Sequence, residues 1–138
     1  MKSITKAQEI KMNEILDKLK NDPFANFLGV VPEEVSHGYA RCSIVVCENH
    51  LNFGGFPHGG LIFSLADVAF SGATASVHMP TTALNVSTNF CGTAKVGSKL
   101  TAEARLTNES RRFSYFDIEV KSEDKLIASF NGTGYKIT

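Results

Sequence analysis

Apolar and polar positions repeat along this chain with two periods, and the places where the period changes mark its elements. Residues 4 to 20 set Ile4, Ala7, Ile10, Leu16 and Leu19 at near-helical spacing among lysines and acids, which predicts an amphipathic helix. Asn21, Asp22 and Pro23 stop it. The stretch FLGVVPEEVSHGYARCSIVVC predicts two strands around a His37-Gly38 turn. In the second, Ala40, Cys42, Ile44 and Val46 alternate with Arg41 and Ser43, the period of a strand with one buried face. After Pro80, strand patterns return at ALNVSTNFC, KLTAEARLTNES, FSYFDIEVKSED and KLIASFNGTGYKI, broken by Gly92, Gly97, NES and SEDK. The plan is a hairpin, one long helix and an antiparallel meander, an α+β domain.

The long helix is predicted from Gly59 to Val77, 19 residues whose only ionisable side chain is Asp67. Its length and apolarity raise a transmembrane reading. The spacing rejects that reading: Ser64, Asp67, Ser71 and Thr74 fall on one stripe, while Leu61, Ile62, Leu65, Ala66, Val68 and Ala69 cover the rest. An unpartnered carboxylate inside such a helix costs several kcal/mol, so Asp67 is hydrogen-bonded, partly wet or protonated. It is either a structural residue satisfying nearby donors or a functional one. Gly59 and Gly60 precede it and let a ligand approach the backbone, where the first N–H groups of a helix lack internal partners. That start is either a tight turn or an oxyanion site. Eight residues of helix separate Gly59 from Asp67 by roughly 12 Å, too far to share one atom. Two antiparallel copies of the helix in a two-fold dimer bring the Gly59 N–H of one to the Asp67 of the other, twice.

Composition narrows the classes. The 138 residues carry 14 basic and 14 acidic side chains, with a pI near 6.9, so there is no basic footprint for nucleic acid or an anionic membrane. Cys42, Cys47 and Cys91 form no CxxC pair, which fits a reducing compartment; Cys91, in a strand pattern, is expected in the core. The charged N-terminal segment lacks the apolar core of a signal peptide, so a cytoplasmic location is expected, with the sequons at Asn85, Asn108 and Asn131 as chance matches. His37, His50, His58 and His78 show no zinc-binding spacing, and GGFPHGG lacks the Lys and Ser/Thr of a P-loop. Arg111 and Arg112, in a turn, are either solvated or phosphate ligands.

The segment HGGLIFSLADVAF closely resembles the helix signature of hot-dog-fold acyl-CoA thioesterases of the phenylacetate-degradation (PaaI-like) type. DPFANFLGVVPEEVSHGYARCSIVV is similar to that family's N-terminal strands, and AKVGSKLTAEARL to its later meander. The resemblance implies a single hot-dog domain over 1–138, with an N-terminal helix in 1–21 and a core in 22–138 whose antiparallel sheet wraps the long helix. It implies hydrolysis of an acyl-CoA, aryl-acetyl or medium-chain, with Asp67 as nucleophile or as base for water and the Gly59 N–H as oxyanion donor. Asn52 then holds the water or the carbonyl, and His58 is a structural partner at the helix start as well as a candidate base. Gly60, Thr82, Arg111 and Arg112 are the substrate-binding candidates. No metal or redox cofactor is implied, coenzyme A being part of the substrate. The minimal active unit is a homodimer, and a homotetramer is expected. Two positions depart from the family pattern. Ala83 stands where some relatives have a hydroxyl residue, with Thr82 beside it on the opposite face of a strand, and Thr93 replaces a common proline. A non-catalytic acyl-CoA-binding module and a hydratase on the same fold are the competing classes. The filled glycine-to-aspartate pattern favours hydrolysis, since fold alone does not select a chemistry.

Overall fold

The computed structural model describes residues 3–138, so Met1 and Lys2 of the expected N-terminal segment lie outside the described residues. The first helix, α1 (Lys6–Lys20), opens on a capping box. The Thr5 hydroxyl accepts from the Gln8 N–H at 3.1 Å, and the Gln8 side chain accepts from the Thr5 N–H at 2.8 Å. Its buried residues are Met12, Ile15 and Leu19, whereas Ile4 and Ile10 are exposed. The apolar stripe expected from sequence is therefore corrected. Steps of three and four put Met12, Ile15 and Leu19 on one side, Ile10 falls on the opposite side, and Ile4 precedes the first turn.

A second correction follows immediately. Phe27 and Leu28, expected in a strand, belong to α2 (Pro23–Leu28), a short helix capped by Asp22, whose Oδ1 accepts from the Ala25 N–H at 3.0 Å. Pro23 sits at its first turn and Gly29, at φ 92°, ends it in the left-handed region. Six residues are too few to show a helical period, but the Asp-Pro start and the glycine stop were present as signals. The hairpin β1 (Val31–Ser36) and β2 (Tyr39–Val45) then turns at His37-Gly38 as expected.

The chain passes through a single 3-10 turn, Glu48–His50, and a glycine-rich loop into α3 (Gly59–Val77). It continues as β3 (Thr81–Phe90), β4 (Lys99–Glu109), β5 (Phe113–Ser122) and β6 (Lys125–Lys136). All neighbours in the six-stranded sheet are antiparallel, in the order β1-β2-β4-β5-β6-β3. The expected meander holds for β4, β5 and β6. β3, however, lies beside β6 at the far edge, with Thr81 opposite Lys136 and Phe90 opposite Ala128. Periodicity names strands without ordering them.

The sheet wraps α3. Leu65, Ala69 and Ala73 are buried against Cys42, Ile44, Leu100, Ala102, Ala104, Ile118 and Val120 of the inner face, and the small alanines let helix and sheet approach closely. α3 is long and apolar enough to cross a membrane, but its apolar flank is covered by these strands and by α1. The outer face of the sheet is polar, with Arg41 paired to Glu33 at 3.2 Å and Arg105 to Glu103 at 2.8 Å. Ser76 fixes the C-terminal half of α3 to the hairpin: its Oγ accepts from the Gly38 N–H at 2.8 Å and donates to the Ala73 carbonyl at 2.6 Å.

The close crossing of α1 over α3 depends on Gly72, where an added Cβ would lie 2.6 Å from Leu19 Cδ1 and 3.1 Å from Ala40 Cβ. Gly72→Val is expected to lower unfolding stability by roughly 2 kcal/mol or more despite removing a helical glycine, because overpacking outweighs propensity. Urea denaturation against wild type measures the difference.

Candidate functional site

The site starts in the loop before α3. Leu51 bridges to Pro57, and the Asn52 N–H donates to the Phe56 carbonyl at 2.7 Å. The Asn52 side chain fills the turn between them, its Oδ1 accepting from the N–H groups of Gly54 at 2.9 Å and Phe56 at 3.1 Å. Only its NH2 group is left to donate outward. Gly55, at φ 87°, closes the turn in a conformation few other residues adopt. Phe53 and Phe56 are exposed on this loop.

His58 is the N-cap of α3. Its Nδ1 accepts from the Gly60 N–H at 2.9 Å, and its own N–H donates to the His50 carbonyl at 2.8 Å. With Nδ1 as acceptor, the neutral ring carries its proton on Nε2. Such a ring donates a hydrogen bond and has no lone pair free to take a proton from water. The same bond uses the Gly60 N–H, so that group is not open to a ligand. The Gly59 N–H, by contrast, donates to nothing among the described residues. It sits at the positive end of a helix of 19 residues. The ring of Phe90, from the end of β3, lies against it, 3.4 Å from where a Gly59 side chain would begin. Sequence reasoning missed Phe90, because only the return of β3 along α3 brings it there.

Asp67 lies on the stripe of α3 that the sheet leaves uncovered and is exposed in the single chain. Phe63 and Phe70 flank it, one turn before and one turn after, and with Val86 and Phe130 they form an apolar crevice at its base. This partial desolvation, followed by the like charge of Asp22, raises its pKa above the usual aspartate value. Among the described residues no donor holds the carboxylate, because the hydroxyls of the stripe turn inward. Ser64 donates to Gly60 at 2.7 Å, Ser71 to Asp67 at 2.8 Å and Thr74 to Ser71 at 3.0 Å, each to a backbone carbonyl. The structural reading of Asp67, as a residue satisfying nearby donors, is not what the chain shows.

Beside Asp67, toward the end of α3, opens a recess of about 270 Å³ whose walls include Ser71, Thr74, Met79, Thr81 and Ala83. Thr82 is not part of it. Alternation along β3 places Thr82 opposite Tyr135 on the other face, and the hydroxyl at the recess belongs to Thr81, which donates to the His78 carbonyl at 2.6 Å. Arg111 and Arg112 are exposed in the turn between β4 and β5, and the Arg112 carbonyl accepts from the Lys136 N–H at 2.7 Å. Lys136 pairs with Thr81, so this turn lies at the recess end of the sheet, away from Gly59. Cys91 corrects another expectation. It is exposed just past the end of β3, an edge strand largely open in the single chain.

Gly59 and Asp67 stand on one unbroken helix, about 12 Å apart along its axis at 1.5 Å per residue, so a single chain does not bring them together. What one chain offers is a free backbone donor at one end of a helix and, two turns on, an unheld carboxylate beside a recess.

The chain matches the Thioesterase superfamily over residues 54–128, more than half its length. It is similar to a putative esterase of Archaeoglobus fulgidus, with 40% identity over 86% of this chain and 77% of that protein. It is also similar to the acyl-coenzyme A thioesterase PaaI of Escherichia coli, with 32% identity over 86% of this chain and 85% of that one. The structure of the E. coli PaaI protein from the phenylacetic acid degradation operon superposes with a TM-score of 0.88 at 29% identity, covering 93% of this chain and 94% of the other. The structure of smu.793 from Streptococcus mutans bound to acetyl CoA superposes at 0.72 with 25% identity, over 75% and 85% of the two chains. By sequence match and by the sheet wrapped around α3 alike, this chain belongs to the thioesterase superfamily, as a hot-dog-fold thioester hydrolase of the PaaI-like kind.

Proposed function

We propose that the protein hydrolyses the thioester of an aryl-acetyl or medium-chain acyl-CoA in sites shared by two copies, with Asp67 of one and the Gly59 N–H of the other acting on the same carbonyl. The observation that carries this is the unheld Asp67 carboxylate on the open stripe of α3, with the unengaged Gly59 donor too far along the same helix to reach it. Antiparallel pairing of two α3 helices removes that distance. The edge strand supports such a pairing: β3 runs ten residues without a charge or a proline and is exposed on both faces, including Leu84 at its bulge and Phe90. An edge of this kind is a template for a second strand, and β3 of a second copy supplies one. Pairing of dimers into a tetramer belongs to the same reading and rests on resemblance.

In the shared site the thioester oxygen accepts from the Gly59 N–H as negative charge develops on it. By one route, Asp67 attacks the carbonyl carbon, the C–S bond breaks, and coenzyme A leaves as its thiolate; water then cleaves the mixed anhydride to the carboxylic acid and restores Asp67. By the other, Asp67 takes a proton from the water that attacks, and passes it to the departing thiolate. The Asn52 NH2 group, held outward by the loop, is a donor for that water or for the carbonyl. Arg111 and Arg112, exposed at the recess end of the sheet, are assigned to the phosphates of coenzyme A. The acetyl CoA bound to the S. mutans relative supports the substrate class.

Asp67→Asn is expected to lower kcat/KM by about two orders of magnitude or more in a free-thiol assay over aryl-acetyl, short, medium and long acyl-CoA esters. A wild type that binds coenzyme A yet cleaves no ester in the panel would replace catalysis with binding. The same variant is expected to melt at or above the wild-type temperature at neutral pH. A carboxyl whose pKa is raised in the folded state holds its proton more tightly there, so stability falls as pH climbs from the ordinary aspartate value through the raised one. Above that window the charge is a cost, which the amide removes.

Activity needs the ionised carboxylate and is lost as pH falls through the raised Asp67 pKa. Asp22→Asn keeps the cap on α2 but removes the like charge, the lesser cause after desolvation, so the acid limb of kcat/KM should move to lower pH; a limb that moves to higher pH argues against Asp67 as the titrating group. Leu84→Asp, at the exposed bulge of β3, is expected to shift the protein toward monomer in sedimentation and to lose activity with it. A fully active monomer would rule out shared sites.

A further inference from the structure

β6 carries two glycines, Gly132 and Gly134, on the inner face of the sheet, where side chains elsewhere pack on α3. A glycine inside a strand is destabilising and marks a place where another group comes close. Here the approaching groups are walls of the recess beside Asp67. A Cβ on Gly132 would lie 2.8 Å from Cε1 and Cζ of Phe70. One on Gly134 would lie 2.9 Å from Cγ2 of Thr81, 3.3 Å from Cγ2 of Thr74 and 2.8 Å from Oγ of Ser114. Phe70, Thr74 and Thr81 all line the recess, and Gly134 pairs across the sheet with Ala83, the small residue of its β3 wall. The position where some relatives have a hydroxyl is thus part of a floor of small residues.

We propose that Gly132 and Gly134, with Ala83, set the size of acyl group this enzyme accepts. The glycines let Phe70, Thr74 and Thr81 sit back against β6, and the recess this leaves open beside the Asp67 carboxylate holds the acyl group whose carbonyl Asp67 acts on. The assignment rests on the role of Asp67 in the proposed function. The recess, about 270 Å³ in the single chain, is many times the roughly 30 Å³ share of one liquid water molecule. A two-carbon acyl group leaves most of it empty.

The test is the ratio of kcat/KM for phenylacetyl-CoA to that for acetyl-CoA, in wild type, Gly134→Ala and Ala83→Leu. Ala83 is exposed in the single chain, so leucine there fills the recess without entering the core, and this variant decides the matter where Gly134→Ala unfolds. The ratio is expected to fall about tenfold or more in Ala83→Leu and in the same direction in Gly134→Ala, the scale on which hydrophobic pockets discriminate by size. A ratio equal to wild type in folded Ala83→Leu overturns the assignment while leaving Asp67 in its role. If wild type cleaves neither ester, the proposed hydrolysis fails. Calorimetric binding of the thioethers S-(2-phenylethyl)-CoA and S-ethyl-CoA then decides the recess by itself. Tighter binding of the phenylethyl compound by wild type, reduced in Ala83→Leu, supports it; equal preference in the two proteins overturns it.

Discussion

A single sheet covers only one side of a helix, and everything distinctive about this protein follows from how α3 meets that limit. The helix is apolar around most of its circumference, so the sheet, α1 and the β1–β2 hairpin close over as much of it as they reach. Leu65, Ala69 and Ala73 disappear into the core, and burial of this kind, at roughly 25 cal/mol per Å² of apolar surface, holds the domain together. The side left over carries Ser64, Asp67 and Ser71 with Phe63 at its border. Had the remaining side been solvated surface alone, it would be expected to carry several charges. It carries one.

The polar groups along that side are sorted by whether the chain itself uses them. Ser64, Ser71 and Thr74 spend their protons on carbonyls of their own helix, His58 spends an acceptor on Gly60, and Asn52 spends its oxygen on the loop. Among the groups left without a partner in the described residues are the Gly59 N–H and the Asp67 carboxylate, the two to which the proposed function gives the thioester carbonyl. They sit two turns apart on one rigid element. A rigid helix gives each group a fixed direction and denies their meeting in one chain, which is why the proposed function calls on a second copy. Partial desolvation raises the Asp67 pKa and makes its charged form a cost to the fold.

Much of this was legible in the residues. The strands past Pro80, the hairpin turn, the span of α3 and the stripe carrying Asp67 all show in periodicity, because side-chain direction in helices and strands repeats with a fixed step. α2 was not read, since six residues hold less than two turns. The face of α1 was misread because Ile4, Ala7 and Ile10 were grouped with Leu19, although Ile10 and Leu19 fall on opposite sides of the helix and only the side of Met12, Ile15 and Leu19 meets the core. Thr82 and Thr81 differ by one residue and therefore by a whole face of the sheet.

The sequence by itself determined the long helix and the strands, the lone carboxylate eight residues past a helix-opening glycine, and the impossibility of joining the two within one helix, since all of these follow from local geometry along the chain. Only the tertiary structure decided that β3 crosses to the far edge, that Phe90 lies on Gly59, that Gly60 is closed by His58 while Gly59 stays open, and that Gly132 and Gly134 lie beneath the recess walls. These depend on which distant segments meet, and contacts between residues far apart in the chain have no period to be read from.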